Sequence, residues 1–289
     1  MNIDGKFFEE LFRISGISDK PVTVKSVAGG CINRCFHVSG SNSDYFIKIN
    51  NASYNDMFNK EAIGLDALAK VDSLKVPRVL AEGRDNNLIY LILEYITPGY
   101  PSNDYWKECA QGLAKVHNHS SDTYGFYTDN YIGSLKQVNK ASSTWIDFFI
   151  SYRLQYQLDL AMNAGKVGKE ILESFNKLYN KLSDILPVEK PSLLHGDLWS
   201  GNLITSAMGK PVLIDPAVYF GNREAELAFT TLFGGFPEKF YSVYNEICPL
   251  QPGFGERIDI YNLYPLIVHV NLFGGFYLNQ VRSILKRYT

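Results

Sequence analysis

The sequence predicts an α+β fold in which a small, sheet-rich lobe precedes a larger and mainly helical lobe. Two observations predict it. Short apolar runs of strand type, separated by turn residues, dominate residues 1–96. Beyond Thr97–Gly99, apolar residues recur mainly at helical spacing, and only one β-like island interrupts them, at residues 193–215. We therefore expect two lobes, residues 1–96 and 97–289, in a chain long enough for each to bury a core.

Strand patterns surround one helix in the first lobe. Val22–Val27 alternates apolar and polar residues, which is typical of a half-buried strand, whereas Leu88–Leu93 is apolar on both faces and predicts a buried strand. Turn residues at Gly40–Asp44 predict a hairpin. The expected order is a short helix behind an Asp4 cap with Phe7, Phe8, Leu11, Phe12 and Ile14 on its apolar face, strands at 22–27, 35–38 and 45–49, a helix at 57–71, and strands at 78–82 and 88–93.

The second lobe is predicted to consist of helices around one hairpin. Helical spacing indicates helices at about 103–118, 143–165, 168–186, 222–233 and 256–286. Within the island, the turn Met208–Pro211 predicts that two short strands fold back on each other. Many α+β proteins share this order of elements, so the chemistry of particular residues has to narrow the function.

Composition and charge exclude several classes of function. A formal net charge of −2 offers no basic excess for nucleic acid, and residues 1–16 lack the basic region and cleavage site of a signal peptide. The most apolar late stretch, 263–278, contains polar residues and is shorter than a membrane span of roughly 20 residues. Four scattered cysteines suit neither a disulfide scaffold nor a zinc site. We expect a cytoplasmic protein that binds neither nucleic acid nor a membrane.

The island carries the residues best suited to chemistry. Asp197 and Asn202 stand five positions apart in His195-Gly-Asp-Leu-Trp-Ser-Gly-Asn202, and Asp215 ends the run that follows. This spacing occurs in the catalytic loop of kinases, where a carboxylate orients an alcohol and accepts its proton. Mg²⁺ prefers carboxylate, amide and phosphate oxygens. The pattern predicts Asp197 as the base and Asn202 with Asp215 as Mg²⁺ ligands, although each residue alone is a common turn former.

Two residues of the first lobe are candidates for holding ATP phosphates. Lys48 lies in a predicted strand, as the phosphate-binding lysine of kinases does. Glu61, on the next predicted helix, could form the ion pair that positions this lysine. Taken singly, each is also explained as a solvated side chain.

Backbone groups of the same lobe complete the predicted nucleotide site. Gly29 and Gly30, between the first two strands, could let backbone N–H groups approach phosphate oxygens. Glu94 and Tyr95 follow the last strand, where their backbone donors and acceptors would meet an adenine edge.

Four strings stand in order along the second lobe: HGDLWSGN at 195–202, LIDPA at 213–217, GNREAELA at 221–228 and LFGGF at 232–236. Together they resemble the fructosamine kinase family, whose relatives are aminoglycoside phosphotransferases and choline kinases. The resemblance covers nearly the whole chain and implies a bilobal protein-kinase-like fold, with a small antiparallel sheet lobe and a larger helical lobe. It implies ATP and Mg²⁺ as cofactors, and as substrates free or protein-bound ketoamines, that is, fructosamines or ribulosamines. Their phosphorylation on a sugar hydroxyl is a deglycation step.

The resemblance also implies roles for individual residues. Asp197 would be the catalytic base, Asn202 and Asp215 would bind Mg²⁺, and Lys48 with Glu61 would hold the nucleotide phosphates. Two further residues near the base, Trp199 and His195, are candidate substrate contacts. Trp199 is equally well explained as a core aromatic.

Alternatives stay open at this point. The same fold could serve another acceptor, such as an aminoglycoside, choline, homoserine or methylthioribose, although the late helices offer few acids beyond Glu256 and Asp259 for a polycation. A nucleotide-binding protein without catalysis is a second alternative, which the intact Lys48 and Asp197 disfavour. Cys31 is a hypothetical redox brake through a disulfide with Cys35 or a second chain. The sequence predicts neither the sugar preference nor the oligomeric state.

Overall fold

An antiparallel five-stranded sheet forms the N-terminal part of the protein. The computed structural model describes residues 5–27, 32–54 and 56–288. The strands are β1 (Pro21–Val27), β2 (Arg34–Gly40), β3 (Asp44–Asn51), β4 (Val79–Asp85) and β5 (Leu88–Glu94). They lie in the order β1–β2–β3–β5–β4, and every neighbouring pair is antiparallel. The predicted hairpin at residues 40–44 joins β2 to β3.

Strand β5 is buried on both faces, as its apolar sequence predicted. Tyr90 and Ile92 pack on one face against helix α1 (Gly5–Ile14). Ile89 and Leu91 pack on the other face against helix α2 (Met57–Ala69). Each fully buried side chain of this size stabilises the fold by roughly 1.5–3 kcal/mol. The packing of α1 and α2 on the two faces of β5 therefore also holds β3, which pairs with β5 in the sheet. The predicted Asp4 cap lies outside the described residues.

The half-buried character predicted for the first strand is wrong. Six of the seven residues of β1 are exposed. Because β1 lies at the edge of the sheet and pairs only with β2, its alternating sequence does not correspond to a covered face.

Helices form most of the C-terminal part. Their largest apolar core lies around Phe148, Phe175 and Leu263. A π-helical segment, Phe149–Gln155, makes one continuous run with the helices before and after it. The helices are α3 (Tyr105–Asn118), α4 (Trp145–Phe148), α5 (Tyr156–Asn163), α6 (Lys169–Tyr179), α7 (Leu182–Ile185), α8 (Arg223–Phe229), α9 (Glu238–Ile247), α10 (Phe254–Phe273) and α11 (Leu278–Leu285).

Two of the predicted helices are divided in the structure. The pattern at 256–286 is interrupted at Gly274, whose φ of +93° ends α10 before α11 begins. This left-handed region favours glycine and commonly ends helices. The pattern at 168–186 likewise separates into α6 and α7. In both cases apolar periodicity continues across the break, because both pieces pack against the same core.

Short strand pairs complete the C-terminal part, and the sequence predicted only some of them. The predicted island contains β8 (Ser192–Leu194), β9 (Leu203–Thr205) and β10 (Pro211–Leu213), with β9 and β10 forming the expected hairpin. Strand β8 pairs instead with β11 (Tyr219–Gly221). This strand, helix α9 and the hairpin of β6 (Asn130–Ile132) with β7 (Leu135–Gln137) were not predicted. Three-residue strands are too short to show a period of two.

Two further predictions concern the arrangement of the chain. At the predicted lobe boundary, the Gly99 N–H donates to the Thr205 carbonyl at 3.0 Å; the boundary itself stays a prediction. Within the described residues, no helix is long and apolar enough to cross a membrane. The cytoplasmic location also stays a prediction.

Candidate active site

The segment between β8 and β9 holds Asp197 in a tight loop. Asn202 Nδ2 donates to the Asp197 backbone carbonyl at 2.8 Å and to Asp197 Oδ2 at 2.9 Å. Asp197 Oδ1 has no hydrogen-bond partner among the described residues, and Asp197 lines a cavity. Burial raises the pKa of Asp197 well above its ordinary value, although the hydrogen bond from Asn202 opposes this. The five-residue spacing between Asp197 and Asn202 therefore fixes Oδ2 of the Asp197 carboxylate and leaves Oδ1 available to a ligand.

Strands β9 and β10 bring Asn202 and Asp215 together. Leu203 lies opposite Leu213, and the Ile214 N–H donates to the Asn202 carbonyl at 3.1 Å. Asp215 itself has a φ of +56°, a left-handed conformation that is uncommon for a residue other than glycine and is concentrated at functional sites. The hairpin therefore places both side chains at one end, as its length predicted.

Lys48 joins the sheet to the catalytic segment. Its Nζ lies 2.7 Å from Glu61 Oε1 on α2 and 2.7 Å from Asp215 Oδ1. Lys48 is only 2 % exposed, which excludes the solvated alternative, and the predicted ion pair with Glu61 is present. Burial lowers the pKa of Lys48, but the charges of Asp215 and Glu61 outweigh burial and raise it. Lys48 is therefore a permanent positive charge in the site.

The donor set at Asn202 and Asp215 fits Mg²⁺. The amide nitrogen of Asn202 makes both bonds to Asp197, which leaves Asn202 Oδ1 free to accept. Asp215 meets Lys48 through Oδ1 alone. Mg²⁺ usually takes one or two protein oxygens and completes its shell with phosphates and water. Such a site needs no larger cluster, and the described residues contain no group of three or more His, Cys, Asp or Glu suited to a metal.

Two cavities meet at these residues. One, of about 390 Å³, has an apolar lining that includes Leu93, Ile204 and Ile214. The other, of about 260 Å³, contains Asp197 and is bordered by α10. Among the described residues, five line both cavities: Cys35, Lys48, Trp199, Asn202 and Asp215. Ligands bound in the two cavities would therefore meet beside the charged residues Lys48 and Asp215.

The residues after β5 form one wall of the 390 Å³ cavity. Glu94, Tyr95 and Ile96 line it, and within the described residues the backbone N–H and C=O of Ile96 have no hydrogen-bond partner. The Glu94 carboxylate accepts instead from Lys75 Nζ at 2.7 Å, and Lys75 does not line this cavity. Backbone groups, rather than the Glu94 side chain, are therefore what this wall offers to a ligand.

Three residues of interest lie outside the described residues. Gly29, Gly30 and Cys31 belong to the stretch 28–31, so their predicted roles at the phosphates and in redox control stay predictions. The suggested disulfide partner, Cys35, is buried and lines both cavities. Burial raises the pKa of the Cys35 thiol to about 11, so it is protonated at neutral pH. Since the thiolate is the reactive form, Cys35 is poorly suited to rapid disulfide formation.

The similarity to known proteins extends along almost the whole chain. A family model described as fructosamine kinase matches residues 10–289. The chain belongs to the fructosamine kinase family. A protein named probable ketoamine kinase from Synechocystis is 40% identical over 279 residues, which are 95% of this chain and 94% of that protein. The family prediction is therefore confirmed, and with it the prediction of an ATP-dependent phosphotransferase.

Solved structures confirm the predicted fold. A crystal structure of a candidate fructosamine-3-kinase from Haemophilus somnus has a TM-score of 0.87 at 30% identity and covers 97% of this chain and 96% of that one. An aminoglycoside phosphotransferase complexed with ADP and hygromycin B has a TM-score of 0.69 at 15% identity, covering 99% and 98% of the two chains. At that identity the likeness is one of fold alone. This fructosamine kinase family member has the predicted α+β, protein-kinase-like fold.

His195 of the family motif does not have the position predicted for a substrate contact. Its side chain is 0 % exposed. His195 Nε2 lies 2.9 Å from the Ile214 carbonyl, and Nδ1 accepts from the Asp197 N–H at 3.3 Å. Both ring nitrogens are thus used inside the protein, and the pKa of His195 is lowered by burial. This neutral histidine links the catalytic segment to the end of β10 instead of facing a ligand.

Glu226, in the REAEL string of the family, is an important residue that sequence reasoning missed. Its carboxylate accepts from the backbone N–H groups of His195 at 3.1 Å and Gly196 at 2.7 Å. The third partner is His117 Nε2 on α3, at 2.9 Å. Burial raises the pKa of Glu226, but the hydrogen bond and charge of His117 outweigh burial, so that the pKa is lowered. Glu226 therefore fixes the backbone immediately before Asp197.

The other two charges of the same string anchor helix α8. Glu224 Oε1 accepts from Arg257 Nη2 at 2.6 Å in a buried pair, and Arg223 Nη2 donates to Glu189 Oε1 at 2.9 Å. Removing one partner of a buried pair costs roughly 3–5 kcal/mol. These two pairs fix the helix that carries Glu226.

We expect Glu226→Gln to lower the free energy of unfolding at pH 7 by about 1.5–3 kcal/mol, the range for hydrogen bonds to a charged group. The pKa of Glu226 is lowered from its ordinary 4.5 in the folded protein. Its contribution is therefore present above pH 4.5 and is lost as the pH falls through the lowered value.

Urea unfolding between pH 7 and pH 3.5 measures this difference. The gap between the two proteins should be constant above about pH 4.5 and shrink below it. The exposed Glu246 supplies the matched control, Glu246→Gln, which should change stability by less than about 0.5 kcal/mol. A gap that is independent of pH would show that the Glu226 carboxylate is not the stabilising group.

Proposed function

We propose that this protein transfers the γ-phosphoryl group of ATP, with Mg²⁺, to the 3-hydroxyl of the sugar in a ketoamine. One observation carries the proposal: Asp197 offers a free carboxylate oxygen in the second of two adjoining cavities, which also contains Lys48, Asn202 and Asp215. Membership of the fructosamine kinase family supports a ketoamine as the acceptor, and the Haemophilus relative bears the name of a 3-kinase.

The 390 Å³ cavity is the proposed nucleotide site. Its apolar walls suit the faces of an adenine ring, and the unpaired backbone N–H and C=O of Ile96 suit its edge. Lys48, protonated and held by Glu61, would neutralise phosphate charge. Asn202 Oδ1 and the Asp215 carboxylate would hold Mg²⁺, whose chemistry is to neutralise the phosphate oxygens during transfer.

The 260 Å³ cavity is the proposed acceptor site. Asp197 would orient the sugar hydroxyl and accept its proton at Oδ1, while Asn202 keeps Oδ2 in place. Positioning and charge neutralisation account for most of the catalysis in phosphoryl transfer. We therefore propose direct in-line transfer without a covalent enzyme intermediate.

The sugar is proposed to pack against the face of the Trp199 ring. Trp199 lines both cavities, so it is more than a core aromatic. Its ring lies over Gly201, where an added Cβ would approach the indole to 2.3 Å. The glycine of the HGDLWSGN motif is thus required by the orientation of Trp199.

ADP release with a panel of acceptors tests this function. The panel comprises a fructosyl-amine, a ribulosyl-amine, a fructosyl-lysine peptide, an aminoglycoside and choline. We expect turnover on ketoamines alone, and the ratio of kcat/KM for the two sugars gives the sugar preference. Turnover confined to the aminoglycoside or choline would contradict the ketoamine proposal but keep the phosphotransferase. No turnover, with ATP still bound, would favour the alternative of a non-catalytic nucleotide-binding protein.

A further inference from the structure

The same five residues, Leu-Phe-Gly-Gly-Phe, occur twice in this chain, at 232–236 and at 272–276. The first copy follows α8 and the second ends α10. Both contain left-handed backbone, with φ of +54° at Phe233 and +93° at Gly274. The two turns converge in space, since the rings of Phe233 and Tyr277 lie 6.2 Å apart.

Around the two turns the structure assembles an aromatic cluster, defined here as Phe233, His269, Phe273 and Tyr277. The His269 ring lies 4.6 Å from Phe233, 5.5 Å from Phe273 and 4.9 Å from Tyr277. Phe233 also meets Trp199 edge to face at 5.9 Å. His269 and Phe273 line the same 260 Å³ cavity as Asp197. The cluster is therefore continuous with the proposed acceptor site.

His269 presents a hydrogen-bond acceptor within this cluster. Its Nδ1 lies 2.7 Å from the Pro265 carbonyl, which can only accept, so Nδ1 carries the proton. Burial lowers the pKa of His269, and the ring is neutral at pH 7. Nε2 then holds a lone pair, and it has no hydrogen-bond partner among the described residues.

The same cavity has no carboxylate to spare for a cationic ligand. Among the described residues, three acids line it: Glu61, Asp197 and Asp215. Glu61 and Asp215 are both paired with Lys48, and Asp197 is the proposed base. Any cation that binds on the acceptor side therefore has to be recognised chiefly by aromatic faces and by a neutral acceptor.

A ketoamine brings such a cation to this place. Its secondary or tertiary amine is protonated at neutral pH, and it lies three bonds from the carbon whose hydroxyl is to react, within about 4 Å. When that hydroxyl meets Asp197, the ammonium group must lie beside the base, where Trp199, His269 and Phe273 border the cavity. Phe233 and Tyr277 pack against the His269 ring.

We infer that the aromatic cluster is the subsite for the protonated amine of the acceptor. The ammonium N–H donates to His269 Nε2, and the charge lies against the Phe273 ring, while Phe233 and Tyr277 hold the His269 ring in place. The inference rests on the proposed ketoamine kinase function and deepens it. It makes the amine, in addition to the sugar, a determinant of substrate choice.

Paired substrates test this inference: an N-alkyl fructosyl-amine and the matching 1-O-alkyl fructose, in which a neutral ether oxygen replaces the ammonium. The wild type should show a KM about tenfold lower for the amine. Phe273→Leu keeps apolar bulk but loses the aromatic face, and Phe273 is 54 % exposed, so folding should tolerate it. It should raise the KM for the amine about fivefold more than the KM for the ether, within the range of a cation–π contact.

Two further variants separate the contributions. His269→Phe keeps a ring but removes the acceptor Nε2, together with the Nδ1 bond to the Pro265 carbonyl, and it should also raise the KM for the amine more than the KM for the ether. The matched control is Phe276→Leu, in the same turn but 78 % exposed and outside the cavity lining; neither KM should change. Equal shifts for amine and ether, or no shift in any variant, would overturn the inference.

Calorimetric binding with ADP and Mg²⁺ keeps this result distinct from the proposed function. If the wild type fails to phosphorylate either substrate but binds the amine tightly in a Phe273-dependent manner, the subsite stands and the reaction fails. If the wild type phosphorylates both substrates equally well, the reaction stands and the subsite is refuted. If it neither binds nor phosphorylates them, both are refuted.

Discussion

Replacing Asp197 with asparagine is expected to lower kcat by about 10²–10⁴-fold, the range that general base catalysis supplies. Asparagine keeps the shape of the side chain and can still bond to Asn202, but it cannot take the proton from the acceptor hydroxyl. The KM for ATP should change by less than about twofold, because Asp197 lines the acceptor cavity and not the 390 Å³ nucleotide cavity. Steady-state ADP release with saturating ketoamine measures both constants.

A matched exposed aspartate provides the control. Asp66 pairs only with Lys70 one helical turn away on the surface of α2, so Asp66→Asn should retain wild-type kcat. If Asp197→Asn kept a kcat within about fivefold of the wild type, a different residue would have to be the base.

Asp215→Asn is expected to lower kcat by about 10²–10³-fold, the loss typical of removing one electrostatic contact at the transferring group. The concentration of Mg²⁺ that gives half-maximal activity should also rise at least about tenfold. The substitution removes the negative charge of a side chain that is both a proposed metal ligand and an ion-pair partner of Lys48. Because the Asp215 side chain is well exposed, the fold should be retained.

A Mg²⁺ titration at fixed ATP distinguishes this effect from a general loss of activity. Asp197→Asn should keep the wild-type Mg²⁺ dependence, whereas Asp215→Asn should shift it. Identical Mg²⁺ curves for wild type and Asp215→Asn would show that Asp215 does not hold the metal.

The residues proposed to act at the site could be expected to lie together because their positions depend on short segments. Asp197 and Asn202 lie in one loop, and a short hairpin fixes the distance from Asn202 to Asp215. The Lys48–Glu61 pair requires only a strand followed by a helix that packs on it. Spacing along the chain is therefore enough to predict that these five residues lie close together, whereas their roles stay proposals.

The residues that hold these groups in place could not be predicted in the same way. Glu226 reaches His117, more than a hundred positions earlier, and the backbone of Gly196. Nothing in the local sequence distinguishes a buried glutamate of this kind from an exposed one on a helix. His195 was assigned to the substrate because it precedes Asp197, but the turn of the chain directs its ring inward to Ile214.

For the wrongly predicted continuous helix, the sequence contained a signal that could have been used. The Gly274–Gly275 pair stands inside the helical pattern 256–286 and marks the end of α10. The repeated Leu-Phe-Gly-Gly-Phe string would have drawn attention to the same turn. The β6–β7 hairpin, in contrast, has strands of three residues each, and its place is set by contacts with distant elements.

The most direct test of the account is the identity of the phosphorylated product. Wild-type protein would be incubated with ATP, Mg²⁺ and an N-alkyl fructosyl-amine, and the product would be examined by ³¹P–¹H correlation NMR. We expect one new phosphomonoester coupled to the proton on carbon 3 of the sugar, absent when Asp197→Asn replaces the wild type. ATP consumption without a phosphorylated ketoamine, or a phosphate on another hydroxyl, would contradict the account.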